Sequence, residues 1–137
     1  MNVNIKISMR NHQPLTVATW NVRTLLDFSE ENPRLHHRTA IVAHELKRYN
    51  IDIAALSKTR LSEDNLIEKG EGYTFFWKGY PENVRRNHGV GFAIRNEQLK
   101  KIETTPAGIS ERLMSWRIPL AKGRHTTLDS AYAPTLD

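Results

Sequence analysis

Apolar positions in this chain follow two different rhythms. LTVATW (15–20) and IDIAAL (51–56) are short and almost unbroken apolar runs. Such runs are too short for a helix and too continuous for a half-exposed strand, so they predict buried strands, the second from Ile51 to Leu56. Between them the spacing changes. Leu35, Val42, Leu46 and Tyr49 recur seven, four and three residues apart, which is one apolar stripe on a helix, with Arg34, Arg38, Glu45 and Arg48 on its other faces. Asn32 before Pro33 supplies its start, an N-cap followed by proline at the first helical position. Strand, helix, strand with a short return predicts a βαβ unit whose strands lie parallel or as near neighbours.

After residue 71 the pattern is different. GYTFFWKG (72–79), GVGFAIR (89–95), RLMSWRIPL (112–120) and HTTLDSAYAP (125–134) are strand candidates separated by Gly, Pro and charged turns, with no helical spacing between them. An antiparallel meander joined to a βαβ start gives an α+β mixed sheet with one main helix. Phe75, Phe76, Trp77, Phe92 and Trp116 read as core and cross-strand packing before they read as base-stacking platforms. The leader MNVNIKISMRNHQP (1–14) is expected to be flexible, with the folded domain covering 15–137.

The totals narrow the class without choosing the function. With 137 residues, 39% apolar and 26% charged, the chain has the size and composition of one ordinary globular domain. It contains no cysteine, which excludes disulfides and thiolate metal sites and fits a reducing compartment. The leader lacks an apolar core of signal-peptide length, and no later run approaches the roughly 18 apolar residues of a membrane span. An intracellular setting is therefore expected, the nucleus included. A formal charge of +5 favours a polyanionic partner. The basic residues are dispersed, however, and the local clusters NVRRNH (83–88) and RLHHR (34–38) are also what a solvated charged surface looks like.

Candidate chemistry gathers at strand ends. Asn21 closes the first predicted strand, ALSKTR (55–60) the second and SAYAPT (130–135) the last, and open α/β sheets bind ligands at such an edge. Asn21 alone has two readings: a turn former, or an amide aimed at a phosphate or metal. His88 has no carboxylate or second histidine at ligand spacing, and His36 and His37 are adjacent on the helix and face different ways.

TWNVRTL, IDIAALSKTRL, GYTFFWKGYPENVRRNHGVGFAIRN, ERLMSWRIPL and SAYAPT resemble the N-terminal half of the endonuclease/exonuclease/phosphatase family. They are most similar to the branch of non-LTR retrotransposon endonuclease domains and craniofacial development protein 2-like proteins. The resemblance implies half of a four-layer α/β/β/α sandwich, with one of its two sheets in this chain, and descent from magnesium-dependent phosphodiester hydrolysis. It implies that Asn21 lies where the family positions the scissile phosphate, and that Tyr132 matches an active-site tyrosine able to donate to a phosphate oxygen. Arg23, Arg60, Arg85 and Arg86 are the nucleic-acid-contacting candidates that go with it.

Two departures qualify that inheritance. The family's E-T-R motif places a metal-ligating glutamate where this chain has Lys58. An ammonium cannot coordinate magnesium, and it repels: two unit charges about 4 Å apart cost on the order of 4 kcal/mol at an effective dielectric near 20, roughly doubled for a divalent ion. Glu63 and Asp64 follow in a turn and are poor replacements. The family's G-D-F-N asparagine and aspartate and its late aspartate–histidine pair would follow YAPT, beyond Asp137. A further oddity is Asp129, a charge where the family is apolar, costly if buried unpaired. No bound cofactor is expected, magnesium being the family's. Three functions stay open: an inactive relative with weak, salt-sensitive nucleic-acid binding, a nuclease half completed by a partner, or a module that covers an exposed apolar sheet with a protein partner.

Overall fold

The computed structural model describes residues 2–8, 14–22, 35–57, 59, 67–69, 71–78, 89–110 and 112–132. The chain is of the α+β class, with two sheets and two α-helices among these residues. In chain order the elements are β1 (Asn2–Ser8), β2 (Pro14–Asn21), α1 (Leu35–Arg48), β3 (Ile53–Ser57), β4 (Ile67–Lys69), β5 (Tyr73–Lys78), β6 (Val90–Arg95), α2 (Asn96–Ile102), β7 (Ala107–Ser110), β8 (Leu113–Pro119) and β9 (His125–Ala131).

The predicted βαβ unit forms. β2 and β3 are parallel, with Val17 opposite Ile53 and Asn21 opposite Ser57, and α1 connects them. The helix buries Thr39, Val42, Ala43 and Leu46, the i, i+3, i+4, i+7 stripe of an amphipathic helix. Tyr49, expected on that stripe, is instead 54% exposed. The helix has already ended there: Asn50 takes a left-handed φ of 56°, and Asn50 N–H and Ile51 N–H donate to Lys47 O (3.0 Å) and Leu46 O (2.9 Å), the paired bonds of a Schellman ending. The predicted cap at Asn32 and Pro33 lies outside the described residues.

The first sheet has the order β1-β2-β3-β6-β5-β4, and apart from the parallel β2–β3 pair its ladders are antiparallel. Alternation along its strands divides the core in two. Ala18, Ala54, Leu56, Tyr73, Phe75, Trp77 and Ala93 pack with Val42, Ala43 and Leu46 of α1. Leu15, Val17, Ile53, Phe76, Val90, Phe92 and Ile94 face the other way. A strand buried on both sides is read out of YTFFWK and VGFAIR for this reason. At Gly91 the close approach of strands demands glycine, because an added Cβ would stand 2.6 Å from the backbone oxygen of Phe76.

Here the structure corrects the expectation of a single sheet. β7, β8 and β9 form a separate antiparallel sheet, whose Met114, Trp116 and Ile118 close over Phe76, Val90, Phe92 and Ile94. Strands β2, β3, β6 and β5 of the six-stranded sheet are therefore apolar and covered on both faces, giving three layers, α1, sheet and sheet, among the described residues. On these four strands the expected uncovered apolar face is not found. The outward side of the second sheet carries Arg117, Thr127 and Asp129, all exposed, so the charge at Asp129 meets water rather than a core. RLMSWRIPL belongs to this sheet because its apolar residues fall on alternate positions, the mark of a strand covered on one face. β8 returns as β9 through Lys122 (φ 61°) and Gly123 (φ 71°), successive positive φ values of the kind a tight hairpin uses.

Further corrections concern short elements. Residues 2–8, expected within a flexible leader, pair antiparallel with β2 as the edge strand β1. α2, of seven residues, stands where no helical spacing was read; two turns are too few for a period to show, and Ile102 and Leu99 anchor it to the inter-sheet core.

At the end of the sheet where β3 begins, a polar network binds the layers together. Asp52, 7% exposed, accepts from Thr16 N–H (2.8 Å) and Gln98 Nε2 (3.4 Å) and pairs with Arg95 at 3.6 Å. Arg95 also donates to Asn50 Oδ1 (3.1 Å) and Ile51 O (3.2 Å), and the Tyr73 hydroxyl donates to Ile51 O. Burial raises the Tyr73 hydroxyl above its ordinary value of 10.0, against the opposing pull of Arg95. A raised folded value means a stabilising contribution that is complete below pH 10 and lost as pH rises through the folded value. Urea unfolding on either side of pH 10 is expected to show wild type losing more stability with alkali than Tyr73→Phe does; equal losses would contradict the assignment.

Candidate functional site

β2, β3 and β9 end at one edge of the fold, and backbone geometry ties their ends together. Asn21 is the last residue of β2 and lies opposite Ser57, the last of β3. One residue further, Val22 N–H donates to Ser57 O at 3.1 Å, so β2 leaves the sheet still attached to its neighbour. From the second sheet, the buried Ser130 hydroxyl donates to Leu56 O at 2.9 Å, a bond between residues 74 apart in sequence. It fixes the end of β9 against the end of β3. Tyr132 follows at once, half-buried against the inter-sheet core, with its N–H donating to Arg112 O at 2.9 Å.

Of the residues singled out from sequence, Asn21 lies opposite Ser57 at the end of β3, and Tyr132 follows two residues after Ser130, which bonds Leu56 O. Asn21 is exposed and Tyr132 half-buried. Lys58, which follows Ser57, and Arg23, Arg60, Arg85 and Arg86 lie outside the described residues, as do Glu63, Asp64 and His88.

Sequence reasoning passed over Thr59. It is fully buried, its N–H donates to Gly89 O at 3.4 Å, and its Oγ1 has no hydrogen-bond partner among the described residues. Buried hydroxyls are seldom left so, since the lost hydrogen bond costs about 1–3 kcal/mol. Its signal in the sequence was only a threonine between two cations, Lys58 and Arg60.

The donors and acceptors at this edge among the described residues are neutral: the Asn21 amide and the hydroxyls of Ser57, Thr59, Ser130 and Tyr132. Such groups suit phosphate oxygens. They do not suit magnesium, which requires anionic oxygen ligands. Among the described residues no group of three or more metal-ligating side chains is assembled.

The opposite end of the sheet offers a different surface. A concavity of about 770 Å³ is lined by Lys47, Asn50, Glu71, Tyr73, Arg95 and Glu97, among others. Its charges are mixed, and its arginine is committed to Asp52, Asn50 and Ile51. No described helix is long and apolar enough to cross a membrane. Comparison of the sequence with protein-family models and with curated proteins finds no match.

Proposed function

We propose that this chain binds a nucleic-acid backbone at the joint end of β2, β3 and β9, as a relative of the endonuclease/exonuclease/phosphatase domain that has lost metal-dependent cleavage. The observation that supports the reading is the meeting of the strand ends: Asn21 pairs with Ser57, Val22 N–H donates to Ser57 O, and Ser130, two residues before Tyr132, donates to Leu56 O. An exposed amide and the hydroxyl of a half-buried tyrosine offer donors to phosphate oxygens. Lys58 supplies a cation where hydrolysis in the family needs a carboxylate, so attraction to phosphate is kept while the metal is repelled. Nearby in sequence, Arg23 and Arg60 add to the same field.

Supercoiled plasmid incubated with the purified chain and magnesium or manganese is expected to show no nicking above a buffer control. Metal-dependent nicking that disappears in Asn21→Ala would overturn the inactive reading. Mobility shifts of duplex DNA are expected to weaken steeply as salt rises, whereas complexes insensitive to salt would exclude a phosphate-driven mode.

A further inference from the structure

We infer that Lys78 is a second phosphate-contacting residue of this surface, set more than one nucleotide from Asn21 along a bound backbone; the inference rests on the nucleic-acid reading above. The sheet register places it. Asn21 is opposite Ser57, Ser57 opposite Val90, and Val90 opposite Lys78, so the four residues form one row across β2, β3, β6 and β5. At about 4.8 Å between strands the row spans about 14 Å, farther than one phosphodiester step reaches.

The row also has a common face. On β5, Tyr73, Phe75 and Trp77 point toward α1 and Phe76 toward the second sheet; alternation puts Lys78 on the side of Phe76. On β2, Leu15 and Val17 define that same side, and Asn21 shares their parity. Lys78 therefore faces the second sheet, where β7 lies against it.

β7 shapes its path. A Cβ added to Gly108 would stand 2.7 Å from Lys78 Cδ, 3.0 Å from Cγ and 3.1 Å from Cβ. The lysine stem lies along a backbone strip that glycine leaves bare, and the residue as a whole is half-exposed. Long basic side chains commonly bury their stems in this way and keep the charge at the surface. A compact ammonium charge held there suits a phosphate. Gly108 thus acts as a positioning residue for Lys78.

Fluorescence anisotropy of a short labelled DNA duplex, titrated over a range of salt concentrations, tests this. Lys78→Gln is expected to lower the slope of log affinity against log salt by about one, and affinity by up to about tenfold at low salt. Lys78→Arg keeps the charge and should keep the slope. Gly108→Ala leaves every charge in place yet displaces the stem, and should weaken binding in the same direction. Lys100→Gln, on the exposed side of α2, removes the same single charge elsewhere and should leave the slope unchanged. Thermal unfolding of each variant checks that it is folded. Steep salt dependence in the wild type with no change in Lys78→Gln, or an equal change in Lys100→Gln, overturns the role of Lys78 alone. A wild-type chain that does not bind the duplex at all overturns the nucleic-acid reading, and Lys78 with it.

Discussion

Trp116→Ala is expected to lower the unfolding free energy by about 3–5 kcal/mol, a large part of the stability of a domain this size. Trp116 is 1% exposed at the centre of β8, where it meets Phe92 of the first sheet edge-on, ring centroids 6.1 Å apart and planes inclined at 64°. Its Nε1–H donates to Thr104 Oγ1 at 3.0 Å. Alanine would remove the largest side chain between the sheets and leave a cavity lined by residues held in two independent ladders, which cannot easily collapse together. Urea denaturation should show a lower midpoint with an unchanged slope. A loss below about 1 kcal/mol would mean that the second sheet does not pack on the first.

Asp52→Ala is expected to cost about 3 kcal/mol, for a different reason. The carboxylate compensates Arg95 and receives the Thr16 N–H from β2. Removing it leaves a largely buried guanidinium without its counter-charge and a backbone donor without an acceptor. Arg95 retains Asn50 Oδ1 and Ile51 O, which keeps the expected loss at the lower end of that for a broken buried pair. Asp52→Asn, which preserves an acceptor for Thr16, should lose less. The same urea titration measures both, and equal losses would show that charge alone matters there.

How much of this was legible in the sequence differs by element, for physical reasons. The βαβ start could be read because β2 and β3 are continuous apolar runs and α1 carries a stripe long enough to show its period. The two sheets could not be separated by composition: GVGFAIR and RLMSWRIPL are both plain strand patterns, and only the alternation in the second hints that one of its faces meets water. β1 was hidden by its place in a polar leader, and its pairing with β2 shows only in the register. α2 was hidden by its length. At the candidate site, Asn21 stood out as a polar residue closing an apolar run, and Tyr132 only through the resemblance carried by SAYAPT. Thr59 and Lys78 did not, because a buried orphan hydroxyl and a cross-strand row exist only once register is fixed. Asp52 was not singled out, because its contacts with Thr16 and Arg95 span distances no local pattern encodes.

The most direct test of a phosphate-handling strand end is amide and side-chain NMR of the labelled chain titrated with a short DNA duplex at low salt, then returned to high salt. The expected result is a set of salt-reversible shifts at Asn21, Ser57, Thr59, Lys78 and Tyr132, with the opposite concavity around Tyr73 and Arg95 unmoved. Shifts confined to Tyr73, Arg95 and their neighbours, with Asn21 and Tyr132 silent, would contradict it.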